Sequence, residues 1–133
     1  MDIDQETTAL IAASKVQGAA VYNAAGESLG SIHDLMIDKI SGNVAYAIMS
    51  FGGFLGIGDS YHPLPWPLLQ YDTSKGGYVV NLDKTQLEGA PSYEVGAEPA
   101  WGDPEYETGI HDYYGVGPYW GAPRSYHAAD PLP

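Results

Sequence analysis

Between residues 16 and 82 the chain is built of short apolar runs, and each run is closed within a few residues by a turn signal. Asn23 to Gly26, Ser41-Gly42-Asn43 and the stretch 72–77 are the clearest of these signals. Gly, Asn, Asp and Ser at such points supply the backbone conformations that reverse a chain, so the spacing predicts short antiparallel strands with almost no long helix.

Residues 16–22 are apolar and β-compatible, and the turn at Asn23 to Gly26 makes a hairpin with the run that follows. Residues 28–32 and 35–40 continue as strand, with His33-Asp34 as a bulge or bend between them. The clearest strand is Val44 to Phe51. Val44, Tyr46 and Ile48 fall on one face, and Ala45, Ala47, Met49 and Phe51 on the other. Both faces are apolar, so both should be covered. Gly52, Gly53, Gly56 and Gly58 then form a loop, and residues 61–66 resume an extended run in which Pro63, Pro65 and Pro67 alternate. Proline cannot donate to a ladder, which places this run on an edge or breaks it near Trp66. Residues 78–82 form the last strand, and Asp83 with Gln86 three positions on is a capping box for a helix of a turn or two, closed by Gly89 and Pro91.

The flanks differ from this centre. Residues 1–14 are acidic, then alanine-rich, and too short for a stable lone helix, so they are expected to form a flexible or loosely docked arm. Residues 93–133 are a Pro, Gly and aromatic extension: from position 94 onward there are six Gly, six Pro, five Tyr and two Trp, with Arg124 as the one basic residue. That density of Pro and Gly argues against a second core, and the rings argue against a solvated tail. An extended segment that packs its rings on a surface is the expectation.

Charge narrows the partners. Seventeen acidic residues against five Lys and Arg give a formal net charge of −12, which repels phosphate backbones and anionic lipid headgroups. Nucleic acid and direct membrane insertion are therefore not expected. The absence of cysteine removes disulfide frameworks, thiolate zinc sites and cysteine nucleophiles. The opening stretch has no basic n-region, and the apolar residues 9–13 fall far below the roughly 18 that a membrane span needs. A cytoplasmic protein is expected.

No catalytic constellation stands out. Gly53 to Ser60 reads GFLGIGDS, with the glycine spacing of a phosphate loop, but Asp59 stands where a lysine must reach the phosphates and the following prolines forbid the helix. His33, His62, His111 and His127 lack the spacing that brings two ligands to one helix face, and each is expected in a turn or at the surface. Polar pockets of His33 with Asp34 and Asp38, or of Asp59 with His62, are open to chance proximity only. None of Ser31, Ser50 and Ser60 lies in a G-x-S-x-G elbow. No cofactor, metal or catalytic residue is assigned.

Residues 21–69, VYNAAGESLGSIHDLMIDKISGNVAYAIMSFGGFLGIGDSYHPLPWPLL, carry G-E-x-L-G-x-I-x-D-L-x-I-D, then the long strand, then G-I-G-D and P-W. This combination closely resembles the PRC-barrel domain, named for the cytoplasmic barrel of the photosynthetic reaction centre H subunit and shared with the ribosome maturation factor RimM. With the strand that follows, the match covers about residues 15–92, and the tail looks like the extension of small stand-alone bacterial members. The resemblance implies an all-β protein, a small antiparallel barrel with a short helix after its last strand and an extended aromatic tail. It implies binding or assembly, and no enzyme activity.

A protein-interaction module, self-associated as a homodimer, is the resulting expectation. A barrel this small has one interior, so the two-faced strand and the apolar loop after it should need an outside partner. The candidate contact residues are Phe51, Phe54, Leu55, Ile57, Trp66, Trp101, Tyr113, Tyr114, Tyr119 and Trp120. The tail rings have two readings, packing on their own barrel or serving as a partner surface. Two other functions stay open: an accessory factor of a photosynthetic or electron-transport membrane complex, docked by its acidic surface on a basic one, and a small-molecule or metal-binding barrel using the region from Asp59 to His62.

Overall fold

The structure, a computed structural model, describes residues 9–51, 60–97 and 99–121. A helical turn, α1 (Ala13–Val16), leads into β1 (Ala20–Asn23), β2 (Ser28–Ile37), β3 (Val44–Phe51), β4 (Ser60–Pro65), β5 (Gln70–Asp72) and β6 (Gly77–Val80). After β6 come α2 (Lys84–Glu88), the two-residue β7 (Tyr93–Glu94) and α3 (Pro104–Tyr114). Short 3-10 turns lie at Trp66–Leu68 and Tyr119–Gly121.

The seven strands make one sheet in the order β5-β6-β1-β2-β3-β4-β7. It is mostly antiparallel, but β1 and β6 pair in parallel, Val21 opposite Tyr78, which corrects the expectation of a wholly antiparallel barrel. Among the described residues the sheet is not closed by hydrogen bonds. The turn Trp66–Leu68 carries the chain from β4, next to one edge strand, to β5 at the opposite edge.

Local chemistry explains the elements. Gly26 and Gly42 take φ of 89° and 81°, the left-handed region their two turns require. The register between β2 and β3 shifts between Ile32 and Asp34, so the bulge sits at His33. Proline fits β4 because β7 pairs with Ser60 and Tyr61 alone, leaving Pro63 and Pro65 with a partner strand on one side only. Asp83 and Gln86 complete the capping box, each bond 2.8 Å. Val16 belongs to α1, and the first strand begins at Ala20, later than its apolar run suggests.

Both faces of β3 are buried. Ala47 and Met49 join the barrel interior with Val21, Ile32, Leu64 and Val80. Tyr46 and Ile48 point to the other side, where Ile110 of α3 covers them together with half-buried Trp101, Tyr106, Tyr114 and Tyr119. The segment expected to be extended is thus an eleven-residue helix on the outer face of the sheet. Asp103 caps it through the Glu105 amide at 2.9 Å, Pro104 fits its first position, and Gly115 at φ 69° ends it. Tyr106, Ile110 and Tyr114 recur at the helical spacing of four.

Candidate functional site

Where α3 meets β3, four polar side chains converge under the rings. The Tyr46 hydroxyl donates to Glu107 Oε1 at 2.7 Å and lies 2.9 Å from Nε2 of His111. Tyr119 donates to the same Glu107 oxygen at 2.9 Å, and Nδ1 of His111 faces the Val116 carbonyl at 3.2 Å. Trp101 lies over Tyr46 at 5.3 Å between ring centres, and Tyr119 meets Tyr46 edge-on at 5.8 Å. Burial pushes the Tyr46 phenol far above its ordinary range, and the Glu107 carboxylate reinforces the shift, so the hydroxyl keeps its proton and acts as a donor. The network fixes the helix.

The same elements leave an apolar rim open to solvent. Ile37 ends β2, Ile40 sits in the following turn and Trp120 in the last 3-10 turn, with exposures of 54%, 79% and 40%. Ile40 and Trp120, with Pro104 and Tyr119, line a cleft of about 340 Å³ whose polar contribution comes from Asp38 and Glu107. Asp38 is held in place from within its own turn, accepting from the Ile40 amide at 3.1 Å and the Ser41 hydroxyl at 3.0 Å. Rings and branched aliphatics beside oriented carboxylates suit protein contact, where apolar anchors supply affinity and charge supplies selection.

The residues proposed from sequence divide. Trp101, Tyr114 and Tyr119 are half-buried against their own sheet, while Trp120 and the 44% exposed Tyr113 reach solvent; Tyr113 also donates to the Gln86 carbonyl at 2.6 Å, tying α3 to α2. Phe51 packs edge-on to His62 at 5.2 Å, and Trp66 packs on Tyr78 at 5.7 Å. Phe54, Leu55 and Ile57 lie outside the described residues, as does Asp59. His62 and His111 are buried, 2% and 3% exposed, which corrects their placement in turns or at the surface. Each ring is packed and hydrogen-bonded: His62 against Phe51 beside the Ser60 hydroxyl, and His111 against Tyr46 and Trp120. His33 does stand at the surface, stacked on Tyr61 at 4.3 Å. Among the described residues no group of three or more His, Asp or Glu is arranged to hold a metal ion.

Ile37, Ile40, Tyr46, Glu107 and His111 escape a reading of sequence as site residues. An isoleucine at the centre of the D-K-I-S-G turn is the one local signal, since a turn tip otherwise favours polar side chains.

No curated protein matches the chain. Among solved structures, a 16S ribosomal RNA processing protein, RimM, from Pseudomonas aeruginosa is similar, with 19% identity and a TM-score of 0.39 over 61% of this chain and 49% of that one. The similarity spans about half the length of that protein. The PRC-barrel domain pattern matches residues 9–87, well over half of the sequence and nearly all of the sheet. The chain belongs to the PRC-barrel domain family.

Proposed function

We propose that this protein is a non-catalytic interaction module that works in the cytoplasm and self-associates through the rim formed by Ile37, Ile40 and Trp120. The observation that carries this reading is the exposure of Ile40 and Trp120 on one cleft, with Ile37 exposed at the end of the adjoining strand, beside a helix that already covers the outer face of β3. Large apolar side chains held open to water in this way are unfavourable, and a partner relieves them. The apolar faces of β3 no longer motivate a dimer, because α3 covers the outer one.

Self-association brings two chains of charge −12 together, so salt should strengthen it by screening. A second reading, a partner with a basic surface such as a larger complex, is favoured by Asp38 and Glu107 within the cleft. Salt should weaken that contact. Light scattering at tens of micromolar, in low and high salt, on the natural chain and Ile40→Glu tests the first reading: the natural chain should be dimeric, more so in high salt, and the variant monomeric. A monomer at all salt concentrations would remove self-association.

A further inference from the structure

We propose that the network of Tyr46, Glu107, His111 and Tyr119 takes up a proton from solution, held on His111 as an imidazolium against the Glu107 carboxylate, and that this proton locks α3 onto the sheet. The helix is thereby a pH-sensitive cover for the outer face of β3. This inference stands on the network alone and does not depend on self-association.

The argument starts from a count of hydrogens. Tyr46 and Tyr119 both donate to Glu107 Oε1, at 2.7 and 2.9 Å, so each phenolic proton already lies on a path to the carboxylate. At its other contact Tyr46 can then only accept, and Nε2 of His111, 2.9 Å away, must carry a hydrogen. Nδ1 of the same ring lies 3.2 Å from the Val116 carbonyl, which also can only accept. A neutral imidazole has one N–H, and these two contacts ask for one on each nitrogen. Without the second, a ring lone pair faces an oxygen lone pair at a residue only 3% exposed. With it, the ring is a cation. His62 is the contrast, since one of its nitrogens meets the Ser60 hydroxyl at 3.0 Å and the other has no partner among the described residues, so a single N–H suffices there.

The neighbours decide whether burial forbids the cation. Desolvation favours the neutral ring, and a buried charge must be paired. Glu107 lies one helical turn before His111 on α3, half-buried, and the Tyr46 oxygen bridges the two. The other titratable groups around this junction are Tyr106 and Asp112 on α3, Tyr119 in the last 3-10 turn, and Asp38, which lines the cleft with Glu107 from the turn after β2. Each of them is an acid, so their charge favours the imidazolium. Imidazoles exchange this proton in the range of about pH 5 to 8. When it leaves, His111 loses its donor either to Tyr46 of β3 or to Val116 just beyond the helix, and the cover over Tyr46 and Ile48 loosens.

The test uses the full chain, isotope-labelled, and two-bond NMR correlations that report which ring nitrogens carry hydrogen. At about pH 6 both nitrogens of His111 should carry one. The protection of the amides from Tyr106 to Tyr114, corrected for the intrinsic pH dependence of exchange, should fall about fivefold or more between about pH 6 and about pH 8. Glu107→Gln keeps an oxygen for both phenols and removes the charge, so His111 should release its proton at lower pH than in the natural chain. His111→Gln should hold the protection constant within about twofold over the same range. A bare nitrogen on His111 at about pH 6 would overturn the proposal. So would equal protection at both pH values, an unchanged His111 titration in Glu107→Gln, or the full pH dependence persisting in His111→Gln.

Discussion

The hydroxyl of Tyr46 donates to the Glu107 carboxylate at 2.7 Å across 61 positions of sequence, and this bond ties the last helix to the middle of the sheet. Removing the oxygen while keeping the ring isolates its contribution. In Tyr46→Phe the packing with Trp101 persists, but Nε2 of His111 loses its neighbour in a buried site. Leaving a buried polar group unpaired costs about 1–3 kcal/mol. Urea unfolding of Tyr46→Phe should show a loss of that size. A variant as stable as the natural chain would mean that the network contributes nothing to docking the helix.

Acid should destabilise the domain through His62. Burial lowers its pKa from 6.5 to about 4, and its Nδ1 has no hydrogen-bond partner among the described residues. The unfolded chain gains a proton as the pH falls through 6.5, whereas the folded chain refuses it until about pH 4. Stability from this residue is therefore complete above pH 6.5 and falls between 6.5 and 4, by about 3 kcal/mol at most. His62→Leu should flatten that part of the stability profile when it is subtracted from the natural one. An unchanged slope would assign the acid sensitivity to other groups.

Gly30 sets how closely β2 approaches β3. A Cβ there would run into the carbonyl oxygen of Ser50, a backbone atom that cannot swing aside. Gly30→Ala should cost on the order of 2 kcal/mol or more by forcing the strands apart, a clear drop in melting temperature. Gly102→Ala is the control, since a Cβ there meets nothing within 4 Å. Equal melting temperatures for the two variants would refute the close approach.

The parts of this fold that were legible in sequence are those fixed by neighbours along the chain. The glycines of the turns, the bulge at His33, the capping box at Asp83 and the bounds of β3 all follow from residues a few positions apart. The parallel pairing of β1 with β6 was not legible, because an apolar run states that a strand needs neighbours without stating which. The last helix carries its own signals in Asp103-Pro104 and Gly115, but the surrounding Pro and Gly dominate a reading by composition. Burial of His111 depends on Tyr46, 65 positions earlier, and no local pattern expresses that. The exposure of Ile40 and Trp120 depends likewise on how α3 lies on the sheet.

Central to this account is that the C-terminal helix covers the outer face of its own sheet and leaves Ile40 and Trp120 to a partner. Hydrogen exchange of the backbone amides from Tyr106 to Tyr114, measured over a hundredfold range of protein concentration, tests it most directly. Slow exchange that does not change with dilution is the predicted result. Uniformly fast exchange, or protection that appears only as concentration rises, would contradict it, the latter by placing the helix on a neighbour's sheet.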